Sequence, residues 1–481
     1  MSENNFTVDI HCHPNLKAFN SGHPKPTKNL WERIYHITDR NSFAKQIEKL
    51  TKKVLKASQS NLDELVAGDV RVINISLYPI EKGFLHLRNV PKFLIGGNRI
   101  DVMQEVITGF DLKKINYLRK TYNYYDDLLE EYEYIKNSQG KSPDGKHTFV
   151  IANNYKELMA ALQKKNTIVA IMSIEGAHVF GTGSPDVEKL NEEDHKLLLS
   201  KHIQKVKDWE YPPFTINLAH HFWNQLCGHS TSFKPPIGTL INQNKGKDKG
   251  ITSLGWHVIR ELLSKKNGKR ILIDTKHMSV AARKEYYAFI QNYNFVNPED
   301  RIPVICSHTA VNGFQTLDSS IKQNDVPAKV KNHRFYRWSI NTSNEEIKLI
   351  HESQGLIGLM LDKGNLGGVN AVQKISAIDD IIKQKEEFCR LFWDNAFQIV
   401  KAVGDKSGWD IIALGSDFDG SITHLDPYET SSKLPEFKTD LIEFLEMYDY
   451  QKDLWYKYKP EQLVHKIMQD NAMKFYEKFF V

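Results

Sequence analysis

The stretch Ile271 to His277 reads ILIDTKH, a short apolar run that ends in a histidine and is followed by a longer segment with helical spacing. Near-continuous apolar character is typical of strands buried on both faces of a parallel sheet. Seven other short apolar runs, each also followed by a longer segment, occur along the chain: Phe6 to His11 (FTVDIH), Val70 to Leu77 (VRVINISL), Ile168 to Glu175 (IVAIMSIE), Phe214 to His220 (FTINLAH), Pro303 to His308 (PVICSH), Leu356 to Leu361 (LIGLML) and Ile411 to Asp417 (IIALGSD). The sequence therefore predicts repeated βα units.

Eight such units predict a (β/α)₈ TIM barrel, which takes about 250 residues when it carries no insertions. The chain has 481 residues, so we expect one barrel domain over its whole length, with the surplus in insertions. The candidate insertions run from about residue 79 to 148 and from about 422 to 438. Because βα loops open on the catalytic face of a barrel, we expect these segments to shape a substrate pocket.

The composition, with 41% apolar and 26% charged residues, is typical of a globular protein. The net charge of +5 comes without a lysine or arginine cluster, so we expect no nucleic-acid partner. The scattered cysteines, Cys12, Cys227, Cys306 and Cys389, form no C-x-x-C pair and favour reduced thiols in the cytoplasm. The sequence has neither a signal-peptide pattern nor a run of 18 apolar residues, so we expect no export and no membrane partner.

Six of the eight runs end in, or just before, a side chain that can bind a metal or move a proton. The carboxyl ends of barrel strands converge on one cavity, so these residues are expected to meet. They are His11 and His13 after the first run, Glu175 after the third, His220 and His221 after the fourth, His277 after the fifth, His308 after the sixth and Asp417 after the eighth.

Each of these signals is weak when taken singly. A lone histidine is more often a hydrogen-bonded structural residue than a ligand, and Glu175 before Gly176 fits a turn. Asp417 and Asp419 resemble part of a calcium loop, but the full D-x-D-x-D-G pattern is missing. Taken together, the four imidazoles of His11, His13, His277 and His308 and the two carboxylates suit zinc and related divalent ions. They exceed the ligands of one zinc, so we expect a two-metal centre with Glu175 as the bridge.

Several longer motifs keep a consistent order along the chain, together with His11 and a QDNAMKFYEKF segment around Asn471. They are SIEGAH at 173–178, INLAH at 216–220, GITSLGWHVIRELL leading into ILIDTKHMS at 250–279, PVICSHTA at 303–310, GLIGLML at 355–361 and ALGSDFDG at 413–420. In order and spacing the chain resembles the membrane dipeptidase (renal dipeptidase, peptidase M19) family of the amidohydrolase superfamily.

The resemblance implies a role for each residue of the predicted cavity. One divalent ion, with zinc as the first choice, would be held by His11, His13 and Glu175, and a second by Glu175, His277 and His308. Asp417 would take the proton of the attacking water and deliver it to the leaving amine, and His220 would polarise the scissile carbonyl. The substrate would be a dipeptide or a similar small molecule, and a homodimer is a possible assembly.

Two features depart from the family pattern. The chain has His11-x-His13 where the dipeptidases usually have H-x-D, which makes the site one charge more positive. The family's arginine for the substrate carboxylate has no aligned match in the enlarged region 312–341, where Arg334 or Arg337 could serve and an exposed, solvated arginine is the alternative. His221, His229 and Trp223 are expected to line the pocket or to pack beside it, with His221 on the side of the strand opposite His220 if strand geometry persists that far.

A dipeptidase is thus the leading hypothesis. An enzyme of the same architecture that acts on a lactone, a phosphoester or a deaminase substrate is the alternative, since one nucleophile can attack many electrophiles. A catalytically silent metal-binding protein is less favoured, because Asp417 and His220 accompany the ligands. No G-x-S-x-G elbow is present, which argues against a serine hydrolase.

Overall fold

A computed structural model describes residues 5–35, 57–86, 99–120, 123–183, 189–233, 237–322 and 334–481. Within these ranges the strands are β1 Thr7–Cys12, β2 Val70–Leu77, β3 Gly140–Lys141, β4 Thr148–Ile151, β5 Thr167–Ile174, β6 Thr215–Asn217, β7 Leu272–Asp274, β8 Ile305–Thr309, β9 Leu356–Leu359 and β10 Ile412–Leu414.

The helices of the same ranges lie between and after these strands. They are α1 Leu16–Phe19, α2 Leu62–Ala67, α3 Arg99–Thr108, α4 Leu112–Lys120, α5 Tyr124–Asn137, α6 Tyr155–Leu162, α7 Glu192–Lys207, α8 Ile237–Leu240, α9 Ser253–Leu263, α10 Val280–Val296, α11 Leu317–Lys322, α12 Asn344–Glu352, α13 Lys363–Leu366, α14 Val369–Ser376, α15 Ile381–Val403, α16 Leu434–Tyr448, α17 Pro460–His465 and α18 Asn471–Phe479. Short 3₁₀ helices lie at Lys82–Phe84, Ala177–Phe180, Pro298–Asp300, Lys406–Ile411, Ser431–Lys433 and Lys452–Trp455, and a π turn at Lys466–Asp470.

Eight parallel strands close into a barrel in the order β1, β2, β5, β6, β7, β8, β9, β10, and β10 pairs back to β1 through Asp9 and Leu414. The longest pairing joins β2 to β5, from Val72 opposite Val169 to Leu77 opposite Ile174. Each barrel strand overlaps one of the eight predicted runs. The predicted (β/α)₈ barrel is therefore confirmed, and the buried strands explain the near-continuous apolar runs.

The long helix α15 illustrates how local sequence sets an element that covers the barrel. Its N-cap residue Asp380 accepts hydrogen bonds from the backbone of Ile382 and Lys383, and Gly404 ends the helix in the left-handed conformation at φ 96°. Trp393 and Phe397 are completely buried on its inner face and pack against Trp409. These large apolar side chains anchor the helix on the 3₁₀ helix Lys406–Ile411, which leads into β10.

Between β2 and β5 lies the segment predicted as the first insertion. Its described part holds α3, α4 and α5, and a second apolar cluster forms there around Phe84, Met103, Phe110 and Ile115. The predicted second insertion, about 422 to 438, includes a 3₁₀ turn and the start of α16. The assignment of both as insertions in one domain over 1–481 stays a prediction.

Two further sequence expectations concern cysteines and membranes. All four cysteines are buried and free. In the ranges given above, every helix is too short or too polar to cross a lipid bilayer.

Candidate metal centre and active site

The structure brings seven of the predicted side chains together at the carboxyl ends of the barrel strands. His11 lies in β1 and His308 in β8, and the other five follow their strands by one to three residues. All seven are buried, and the most exposed of them, Asp417, has 7% of its surface accessible. The seven are His11, His13, Glu175, His220, His277, His308 and Asp417.

Glu175 lies at the centre of this cluster. Its carboxylate is within 3.0 to 3.5 Å of five imidazole nitrogens, the Nε2 atoms of His13 (3.0 Å), His277 (3.3 Å), His11 (3.4 Å), His308 (3.4 Å) and His220 (3.5 Å). Burial by itself raises the pKa of Glu175, but His220, His11 and His13 outweigh it and hold this pKa well below its usual range. An ionised carboxylate surrounded by imidazoles is suited to bind a divalent cation.

The imidazoles of the cluster face each other through their Nε2 atoms. The Nε2 atoms of His11 and His13 are 3.1 Å apart, as are those of His277 and His308. Burial lowers the pKa of His277 to about 3 and that of His308 well below its ordinary value, which favours neutral rings. Neutral imidazole nitrogens and carboxylate oxygens are the donor set that zinc and related ions prefer, so the residues present fit a divalent metal.

The hydroxyl of Ser307 contacts the rings of His11 and His308 at Nδ1, the nitrogen that points away from the cluster. Its Oγ lies 3.3 Å from Nδ1 of His11 and 2.9 Å from Nδ1 of His308. A hydroxyl has one proton, so at least one of the two imidazoles donates its own Nδ1 hydrogen to Ser307 and turns an Nε2 lone pair toward the cluster. Such a partner on the far nitrogen is a common feature of metal-binding histidines.

Asp417 lies at the edge of the cluster, with Oδ1 3.9 Å from Nε2 of His11 and 3.8 Å from Nε2 of His13. Burial and the Glu175 carboxylate raise the pKa of Asp417 well above its ordinary value, which suits a group that takes and returns a proton. Gly420 makes room for this carboxylate, since a Cβ at Gly420 would lie 1.8 Å from Oδ1 of Asp417.

The backbone is strained at two residues of the cluster. Asp417 has φ 59° and His277 has φ 69°, both in the left-handed region that is unfavourable for side chains other than glycine. Such strain, of order 1–3 kcal/mol per residue, persists where the surrounding structure enforces it and is concentrated at functional sites.

His220 reaches the cluster from the loop after β6. Its Nδ1 lies 2.8 Å from Oε2 of Glu81, and its Nε2 faces Glu175. Burial by itself lowers the pKa of His220, but the carboxylates of Glu175 and Glu81 outweigh it and raise this pKa above its ordinary value. His220 is therefore suited to donate a hydrogen bond at the edge of the metal cluster.

The condition for His221 to point opposite to His220 is not met, because the strand does not continue that far. Its ring centroid lies 3.7 Å from that of His220 and 5.0 Å from that of His277, on the same side and not the opposite one. Strand alternation does not apply, because β6 ends at Asn217, three residues before His220. Nδ1 of His221 is 2.7 Å from the hydroxyl of Ser232.

A cavity opens beside the cluster and has a mostly apolar wall. His13, Glu175, His220 and His221 form its polar side, and the other lining residues are Leu16, Tyr78, Ile80, Phe84, Thr108, Phe110, Gly420 and Ser421. Most of the apolar wall belongs to the apolar cluster between β2 and β5. A larger cavity, of about 530 Å³, lies around Phe214, Leu272 and Pro303 at the amino ends of the strands, away from these groups.

A sequence profile of the membrane dipeptidase family, peptidase family M19, matches residues 228–478. The chain belongs to this family. The resemblance noted from the motifs is thereby confirmed, and the protein is a metal-dependent, dipeptidase-like hydrolase. The matched part carries His277, His308 and Asp417, whereas Glu175 and His220 lie before it. The structure joins both parts of this M19 chain in one site.

Two solved structures share the fold of this M19 protein. One is a dipeptidase AC of family M19, with 14% identity, 99% of each chain covered and a TM-score of 0.55. The other is a metallopeptidase from Rhodobacter sphaeroides bound to a phosphinate mimic of L-Ala-D-Ala, with 12% identity, 98% of this chain and 99% of that chain covered, and a TM-score of 0.50. At these identities the likeness supports the barrel fold alone. No curated protein matches the sequence.

Among the predicted substrate-binding residues, only His221 lines the cavity of this M19 protein. Arg334 forms an ion pair with Asp394 on α15, and the Arg337 guanidinium lies 4.2 Å from the ring centroid of Phe314. The Lys249 ammonium lies 5.0 Å from the ring centroid of Trp223. The Nε2 atom of His229 lies 3.0 Å from the backbone oxygen of Lys245. Substrate contact by Arg334, Arg337 or Trp223 stays a prediction.

Sequence reasoning missed Ser307 and Glu81. Ser307 carries no signal of its own beyond its place before His308. Glu81 does carry one, because it is an acidic residue four positions after the end of β2, in a barrel whose other strand ends bear the site. Glu81 lies in the segment from about residue 79 that the sequence predicts as an insertion, so this carboxylate was not among the predicted site residues.

Proposed function

We propose that this M19 protein is a binuclear metal-dependent dipeptidase that hydrolyses the amide bond of a dipeptide or a similar small substrate. The observation that carries the proposal is the ring of imidazole Nε2 atoms around the buried Glu175 carboxylate, at 3.0 to 3.5 Å, with Asp417 beside it. Such a donor set exceeds the three or four ligands of a single zinc ion.

In this proposal, His11, His13 and Glu175 would hold one divalent ion, and Glu175, His277 and His308 would hold the second. Zinc is favoured because four of the five ligands are imidazoles. When bound, two such ions lower the pKa of a water molecule at the site and polarise the substrate carbonyl.

The remaining steps belong to the side chains of the chain itself. The Asp417 carboxylate accepts the proton of the attacking water and delivers it to the leaving amine, which its raised pKa favours. His220 donates a hydrogen bond from Nε2 to the carbonyl oxygen as negative charge develops there. The apolar wall around Phe84 and Phe110 keeps bulk water from the reacting groups.

A panel of dipeptides, including members with a D-residue at the carboxyl end, tests this function on the purified, metal-replete protein. We expect hydrolysis of at least one dipeptide, loss of this activity after chelation and its return when zinc is added back. Turnover of lactones, phosphoesters or deaminase substrates, with every dipeptide left intact, would replace the proposal by the alternative enzyme class.

The metal content gives a second prediction. Elemental analysis of the metal-replete protein should find two divalent ions per chain, and His277→Ala and His308→Ala should each lose mainly one of them, because both histidines serve the same ion. His351→Ala, on the surface helix α12, is the matched control and should retain two ions. Full occupancy in both His277→Ala and His308→Ala would contradict the ligand assignment.

A further inference from the structure

Glu81 is a buried carboxylate, with 3% of its surface exposed, in the loop that follows β2. Hydrogen-bond donors from the loop after β6 occupy both of its oxygens. Oε2 accepts from Nδ1 of His220 at 2.8 Å and from the backbone N–H of His221 at 3.3 Å, and Oε1 accepts from the backbone N–H of Phe222 at 2.9 Å. These donors offset the cost of burying the charge.

The hydrogen bond at Nδ1 determines which way Nε2, the other ring nitrogen of His220, points. A carboxylate only accepts, so Nδ1 must carry a hydrogen, and Nε2 is then turned toward Glu175 at 3.5 Å. The ring of Tyr78 lies edge-on to that of His220, with centroids 4.6 Å apart, and restrains its tilt. An aromatic contact does not fix the rotation of the ring, whereas the hydrogen bond from Nδ1 to the Glu81 carboxylate does, and it leaves Nε2 on the side of the cluster.

The same carboxylate also fixes the backbone from which His220 projects. Its bonds to the N–H groups of His221 and Phe222 hold the loop immediately after His220, where β6 has already ended and sheet hydrogen bonds no longer define the chain. One side chain thus sets both the position of the loop and the orientation of the imidazole.

We propose that Glu81 is a positioning residue that acts through His220, by accepting the Nδ1 hydrogen and the loop N–H groups so that Nε2 faces the reacting carbonyl. This inference rests on the proposed function, in which His220 contacts the substrate. Glu81 itself touches no reacting atom.

Glu81→Gln tests the proposal with almost no change in shape. An amide has one accepting oxygen, so it cannot serve His220 and Phe222 together, and one of the two donors must face its NH₂ group. We expect kcat on the best dipeptide to fall roughly 10- to 100-fold with little change in KM, the range found when the partner of a metal-site histidine is removed. Glu346→Gln, which changes another completely buried glutamate bonded to Arg283 and Ser343 rather than to any residue of the site, is the matched control and should keep kcat close to wild type.

A double-mutant cycle separates positioning from general structural damage. If Glu81 acts through His220, adding Glu81→Gln to His220→Ala should cause little further loss of kcat, because the group being positioned is already gone. A loss in the double variant equal to the product of the two single losses would overturn the proposal. So would an unchanged kcat in Glu81→Gln, or an equal loss in Glu346→Gln.

NMR of the ¹⁵N-histidine-labelled, zinc-loaded protein tests the hydrogen bond without any assay. The Nδ1–H signal of His220, assigned by its disappearance in His220→Ala, should be present in wild type and should move or vanish in Glu81→Gln. An Nδ1–H signal that is the same in both proteins would overturn the proposal. If no dipeptide is hydrolysed but this signal depends on Glu81, the proposed function fails while the Glu81–His220 contact stands.

Discussion

Asp417→Asn is expected to lower kcat by about 10²- to 10⁴-fold while the protein retains its metal ions, because the amide preserves the shape of the side chain but cannot accept a proton from water. The position of Asp417 motivates this expectation. Its carboxylate borders the histidine cluster, is not needed to complete either proposed ligand set, and has a raised pKa. The measurement is steady-state turnover of the best dipeptide, together with elemental analysis of the same sample.

Asp419→Asn is the matched control, since both aspartates belong to the ALGSDFDG motif. Asp419 pairs with Lys17 and accepts hydrogen bonds from the backbone N–H groups of Gln59 and Ser60, so its role is to hold loops together. We expect the Asp419 variant to unfold at a lower urea concentration but to turn over substrate normally when folded. Normal turnover by a metal-loaded Asp417→Asn protein would exclude Asp417 as the proton acceptor.

His220→Ala is expected to lower kcat by roughly 10²- to 10³-fold, the usual effect of deleting one contact to a developing oxyanion. An interaction made mainly in the transition state affects kcat and leaves KM and metal content nearly unchanged. The Nε2 atom of His220 faces Glu175 at 3.5 Å, which places it beside the proposed metal ligands.

His221→Ala is the comparison variant and should be far milder. Although its ring lies against that of His220, Nδ1 of His221 is bonded to Ser232, and burial holds the pKa of His221 well below its ordinary value, which favours a neutral ring. Stopped assays on both variants, at matched metal content, give the two values of kcat. If the larger loss occurred in His221→Ala, then His221 would carry the catalytic role assigned to His220.

The barrel and most residues of the candidate site could be predicted from local patterns in the sequence. A strand buried on both faces must be apolar along its length, so runs such as VRVINISL at 70–77 mark the strands without any knowledge of their partners. In a parallel barrel all strands end on the same face, so polar residues such as Glu175 and His308 after those runs must converge. Both inferences depend only on local pattern.

Contacts between loops distant in sequence set the side-chain directions that local pattern does not encode. His220 and Glu81 are 139 residues apart, and only the packing of the loop after β2 against the loop after β6 places them 2.8 Å apart. The ring of His221 lies beside that of His220 because β6 ends at Asn217. That end is set by the pairing of β6 with β5 and β7 rather than by the length of the apolar run. Asp417 and Asp419 look equivalent in the sequence, but loop packing directs one to the histidines and the other to Lys17. Side-chain direction outside regular strands depends on such long-range contacts, which no local periodicity encodes.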